Sequence, residues 1–142
     1  MTFKRILIAV DTSEIGAHAV LVGLELTSAL GSKVAFIHVS APAISDGSWL
    51  AVASPELTEP PADEILQVLA SLRGRAPIPA ETAKFVPVGN PVESITEAAR
   101  NWPADLVVIG SHGRDGVERV VLGSVAEGVA RHAPCPVLIV RE

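Results

Sequence analysis

Short, continuous apolar runs recur along this chain, each followed by a stretch of helical character. The clearest are Ile6-Leu7-Ile8-Ala9-Val10, Val34-Ala35-Phe36-Ile37, Leu106-Val107-Val108-Ile109 and Val137-Leu138-Ile139-Val140. Such runs do not alternate with polar residues, so they suit strands covered on both faces. Strands of that kind separated by helices make a parallel sheet with helices on either side. The 142-residue length fits one domain, expected over 1–142. Aromatics are scarce, so Val, Ile, Leu and Ala must fill the core.

The expected elements follow in order. A strand over 6–10 stops at Asp11-Thr12-Ser13-Glu14, whose Asp and Ser suit a helix cap. A helix then runs through Ala17 to about Leu30 and ends at Gly31. A strand over 33–39 precedes a proline- and serine-bearing loop over 40–61. A helix from Ala62 to Leu72 carries an apolar stripe, and a short strand spans Ala83 to Val88. Asn90-Pro91-Val92-Glu93 combines an N-cap, a proline at the first helical position and a possible capping box. The strand over 105–109 leads to Ser124-x-x-Glu127, which reads as a second capping box and opens a helix to His132. The last strand is Val137 to Val140.

Composition removes several functions. Net charge is -5 and there is no basic–aromatic run, so nucleic acid is not expected as a partner. No apolar stretch reaches membrane-spanning length, and the first run is too short for a signal-peptide core. A cytoplasmic protein is expected. Cys135 is the sole cysteine and has no evident base partner, which suits an inert thiol. The four histidines do not pair at metal-ligand spacing, and His112, in a glycine-bearing loop, suits a solvated loop residue more than one that approaches a phosphate. Ser124 lacks the nucleophile elbow of a hydrolase.

Ligands of open parallel sheets bind beyond the carboxyl ends of the strands. Asp11, Val39, Gly89 and Gly110 stand at such ends. The segment Gly110-Ser111-His112-Gly113-Arg114, with Gly123-Ser124 following, offers permissive glycines beside a helix start, where backbone N–H groups hold anions. Spacing alone fits equally well glycines that only make turns and a serine that only caps its own helix. The Walker Gly-Lys-Ser/Thr core is missing, as is a Gly-x-Gly-x-x-Gly after the first strand. The acid pattern of response regulators, the hydroxyl-rich loop of flavodoxins and the Ser-Gly-Gly of ATP pyrophosphatases are also missing.

Gly110-x2-Gly113-x9-Gly123-Ser124 resembles the ATP-binding signature of universal stress proteins. The likeness extends through Val107 to Arg114, Leu122 to Val125 and Arg131 to Val140, with Asp11-Thr12-Ser13 matching the family's N-terminal motif. It is weak over 40–80. The resemblance implies a Rossmann-like, doubly wound five-stranded parallel sheet ordered 3-2-1-4-5. It further implies that Asp11 contacts the nucleoside and that the Val39 backbone contacts adenine. Gly110, Gly113, Arg114, Gly123, Ser124 and Val125 match the segment that holds ribose and phosphates. Thr12 and Ser13 are weaker candidates. A homodimer pairing edge strands over Val137 to Val140 is implied as well.

Asp115 departs from the family pattern, because a small or neutral residue usually follows the matching arginine. It suits a solvated loop acid, or a helper for a magnesium ion. The expected function is ATP binding, with Mg2+ as a possible companion, in a regulatory stress protein. A nucleotide-independent interaction module of the same fold and a slow ATPase are the alternatives.

Overall fold

In the computed structural model, residues 2–11, 14–40, 62–112 and 122–141 are described. Five parallel strands form one sheet: β1 (Arg5–Ala9), β2 (Lys33–Ile37), β3 (Thr82–Phe85), β4 (Leu106–Gly110) and β5 (Val137–Val140). Their order across the sheet is β3-β2-β1-β4-β5, as the resemblance implied. Among the described residues four helices connect them: α1 (Glu14–Leu30), α2 (Ala62–Ser71), α3 (Pro91–Asn101) and α4 (Ser124–His132). The loop expected over 40–61 lies outside the described residues from position 41 onward.

Strand alternation sends neighbouring side chains to opposite faces. Ile6, Ile8, Val34, Phe36 and Val108 face α1 and α2, where they meet Val20, Leu24, Ile65 and Leu72. Leu7, Ala35, Ile37, Val107 and Ile109 face α3 and α4, where they meet Ile95, Ala99, Ala126 and Val129. This two-sided burial explains the continuous apolar runs. Gly23 lets α1 sit close to the sheet, since a Cβ there would lie 2.6 Å from Ile8 Cδ1. At the opposite edge of β1, the Asp105 carboxylate accepts from the Lys4 and Arg5 N–H groups at 2.9 and 3.0 Å and ties the starts of β1 and β4 together.

Three local readings hold. Gly31 adopts φ 65, the left-handed conformation of a helix terminator. Asn90 caps α3, its Oδ1 accepting from Glu93 N–H at 3.1 Å. Pro91 follows at the first helical position.

Two readings are corrected. β3 ends at Phe85 rather than Val88, with only an isolated bridge between Ser40 and Val88 beyond it. The cause is Pro87, which has no N–H to return a bond after His38 N–H donates to Phe85 O. The N-cap of α4 is Gly123, not Ser124, and among the described residues no side-chain hydrogen bond caps this helix. Ser124 is instead the first helical residue, and Glu127 N–H donates to Gly123 O at 2.9 Å.

Candidate functional site

A cleft of about 610 Å³ opens at the carboxyl ends of β1, β2 and β4. That volume lies within the range of small-molecule sites, roughly 300–1,000 Å³. Asp11, Val39, Gly110, Gly123, Ser124 and Val125 all line it, drawn together from four separate elements. Thr12, Ser13, Gly113, Arg114 and Asp115 lie outside the described residues.

The β2 side presents an open peptide edge. His38 N–H donates to Phe85 O and Ser40 N–H to Pro87 O, both toward β3. Peptide groups alternate in direction along a strand, so Val39 N–H and C=O point the other way, toward β1. β1 has ended there, and among the described residues neither group has a backbone partner. Val39 thus offers a donor and an acceptor side by side to whatever lies in the cleft.

Asp11 stands just past β1, half-buried. Gly16 in α1 packs tightly on it: a Cβ at Gly16 would lie 2.4 Å from Asp11 O and 2.6 Å from Asp11 Cβ. Only glycine permits the helix to pass so close. Nothing in local spacing marks Gly16 for this task, and the sequence reading did not single it out.

Across the cleft, the end of β4 meets the start of α4. Ser111 N–H donates to Val140 O, and Gly123 N–H donates to Ser111 O, each at 2.8 Å. A Cβ on Gly123 would fall 2.7 Å from Ser111 O, so a glycine is required for this approach. The Gly123 N–H is therefore committed to the fold. The N–H groups left at the helix start are those of Ser124, Val125 and Ala126, which have no intrahelical acceptor. They line the cleft with the positive end of the helix dipole behind them, an arrangement suited to an anion. Gly110 also differs from expectation: it is an ordinary strand residue, paired in register with Val140, and not a residue in a glycine-only conformation.

His38 and Glu64, which the sequence reading did not assign to the site, also line the cleft. His38 Nδ1 lies 3.0 Å from Val10 O, and its Nε2 contacts Glu64 Oε2 on α2. His112 also borders the cleft, with Nδ1 3.2 Å from Ser111 Oγ. Among the described residues, no cluster of three or more His, Cys, Asp or Glu is arranged to hold a metal ion. No described helix is long and apolar enough to cross a membrane. Cys135 is not among the residues that line the cleft. Burial, and then the nearby Asp105 carboxylate, push its thiol pKa up.

The model of the Universal stress protein family matches residues 2–141. A universal stress protein of Methanocaldococcus jannaschii is 31% identical over 99% of this chain and 83% of its own length. Another, from Thermus aquaticus, is 33% identical over 98% of this chain and 99% of its own. The solved structure of UspA from Lactobacillus plantarum superposes with a TM-score of 0.77 at 24% identity, covering 99% of both chains. Two other structures with the same fold were solved with nucleotides. A universal stress protein in complex with cAMP has TM-score 0.72 and 21% identity, covering 99% of this chain and 98% of its own. One from Archaeoglobus fulgidus in complex with dAMP has TM-score 0.64 and 22% identity, covering 98% of each.

Proposed function

Because this chain belongs to the universal stress protein family, we propose that it is a regulatory protein that binds an adenine nucleotide, ATP foremost, in the cleft beyond β1, β2 and β4. The observation that carries this reading is the unpaired Val39 peptide edge facing the start of α4 across that cleft. Adenine presents an acceptor beside an exocyclic amino donor. The Val39 N–H and C=O complement such a pair, with Ile37 and Ile95 lending apolar surface nearby. Asp11, which lines the same cleft, accepts bonds from ribose hydroxyls in this reading. The N–H groups of Ser124 and Val125 receive phosphate oxygens, and the Ser124 hydroxyl adds a donor. Gly123 keeps that wall close, Gly110 lines it, and Thr12, Gly113 and Arg114 complete the set by resemblance. Magnesium accompanies the phosphates where the nucleotide brings it. The relatives solved with cAMP and dAMP support the ligand class.

In this reading the nucleotide is a conformational ligand rather than a substrate: it stabilises the arrangement in which the cleft walls are ordered. The protein acts in the cytoplasm as a homodimer joined through β5. That strand bonds β4 on one side, no strand among the described residues pairs with its other edge, and Leu138 is 36% exposed. Pairing two such edges removes a sticky strand end.

Calorimetric titration with ATP, with and without Mg2+, tests the proposal. Saturable binding at millimolar concentration or below, about -4 kcal/mol or stronger, is expected. Absence of binding by ATP, AMP and cAMP alike at millimolar concentration overturns it.

A further inference from the structure

Val34 to Val39 is an apolar run with one break, the imidazole of His38. Phe36 packs on the α1 and α2 side of the sheet, so His38, two residues on, shares that face. Its side chain is 15% exposed and lies between the end of β1 and Glu64 of α2. The ladder between β1 and β2 shows what an imidazole does there that an aliphatic side chain would not.

Ala9 is level with Ile37, and one step further Val10 is level with His38. In a parallel ladder a residue donates to the neighbour before its partner and accepts from the neighbour after it. Val10 N–H donates to Ile37 O at 2.8 Å, as that pattern requires. The next rung would run from Val39 N–H to Val10 O, and among the described residues it is not made. The partner of Val10 O is the His38 ring, whose Nδ1 lies 3.0 Å away. A carbonyl only accepts, so the ring is the donor. A side chain thus replaces the main chain on the last bonded carbonyl past β1, and Val39 N–H stays open to the cleft.

We propose that His38 is a positioning residue for base recognition: its ring takes the Val10 carbonyl and so keeps the β1–β2 ladder from closing onto Val39, the peptide that reads the base. The role of Val39 rests on the function proposed above, whereas the hold of the ring on the ladder does not. Val10 is only 5% exposed. Without the ring, its carbonyl would face a free donor one rung away, and closing that rung would satisfy both groups. A ligand would then have to break a peptide hydrogen bond to reach Val39 N–H. With the ring in place the donor is available in advance, and binding needs no such exchange.

The test compares the full chain with His38→Leu, which removes the donor at similar bulk, and His38→Asn, whose amide nitrogen stands where Nδ1 does. Amide exchange in the ligand-free proteins, at one pH, reads the ladder. Val39 should exchange fast in wild type and His38→Asn, and about tenfold more slowly in His38→Leu, where the rung closes. The Leu7 and Val108 amides should stay equally protected in all three, which marks an intact fold; His38→Ala replaces His38→Leu if that protection is lost. Titration with ATP and with 1-deaza-ATP, which has carbon in place of the ring nitrogen beside the amino group, reads the base. Wild type and His38→Asn should prefer ATP by about tenfold. His38→Leu should bind ATP about tenfold more weakly and lose the preference. A histidine that only packs would, on removal, weaken both ligands alike and leave the preference in place. A Val39 amide already protected in wild type, unchanged Val39 exchange in His38→Leu, or a preference retained by His38→Leu overturns the proposal. If no nucleotide binds, the proposed function fails, and Val39 exchange still decides whether the ring holds the ladder open.

Discussion

On the α4 side of the cleft the chain meets itself backbone to backbone. Gly123 N–H reaches Ser111 O, Ser111 N–H reaches Val140 O, and a single methyl group at Gly123 would intrude to 2.7 Å. On the α2 side the wall is held by a side-chain contact, Glu64 on His38, across a half-exposed surface where Glu64 keeps 39% of its side-chain accessibility. The first wall has little freedom, since its spacing is set by covalent geometry and peptide bonds. The second rests on a single side-chain contact between two elements. The cleft thus pairs a wall fixed by backbone contacts with one held by a side-chain contact.

Substitutions at Gly123 should break the comparison most severely. Gly123→Val drives branched atoms into the Ser111 carbonyl and forces the start of α4 outward. We expect a loss of about 1–3 kcal/mol in stability, measured by chemical denaturation, and nucleotide binding reduced beyond detection. A variant that binds ATP normally would show that the rigid wall is not part of the site.

A smaller effect separates capping from ligand contact. Asn90→Ala removes a formed cap from α3 and should cost about 1 kcal/mol of stability with little change in affinity. Ser124→Ala removes no cap, because Gly123 holds that position. It should leave stability within about 0.5 kcal/mol of wild type and weaken ATP by about 0.5–1.5 kcal/mol. Paired unfolding and titration curves on the two variants distinguish the roles; equal stability losses would restore Ser124 as a structural cap.

The smallest expected effect lies away from both walls. Burial and then Asp105 raise the Cys135 pKa, so the thiolate is scarce at neutral pH. Alkylation should be slow and its pH midpoint should lie above the ordinary thiol range. The folded state then keeps a proton that the unfolded state releases, so this group's contribution to stability is present at low pH. It is lost as pH rises through the unfolded and then the folded value. A midpoint at or below that of a free thiol would contradict this.

Much of the fold was legible because it is written locally. The run Ile6 to Val10, β4 and the interior of β2 are apolar without a break, and only burial on both faces calls for that pattern. Asn90-Pro91 names its own helix start, and Gly31 its helix end. The α4 start was misread by one residue, since Ser124-x-x-Glu127 has the right spacing and a glycine N-cap has no side chain to announce itself. β3 was overdrawn because the apolar character of Val86 and Val88 outweighed the missing N–H of Pro87.

The site divides the same way. Gly110, Gly123, Ser124 and Val125 belong to one compact segment of the sequence, and glycine spacing made that segment visible. Asp11 and Val39 were visible as residues at strand ends. Gly16 against Asp11 and Glu64 against His38 were not, because each is a meeting between elements whose distance is set by sheet and helix packing. The sequence alone determined which runs become buried strands, where the helices begin, and that glycines cluster at one strand end. The tertiary structure decided which strand ends face each other, which peptide groups stay unpaired, and which carboxylate meets which imidazole. Those outcomes depend on contacts between distant residues, which no local periodicity encodes.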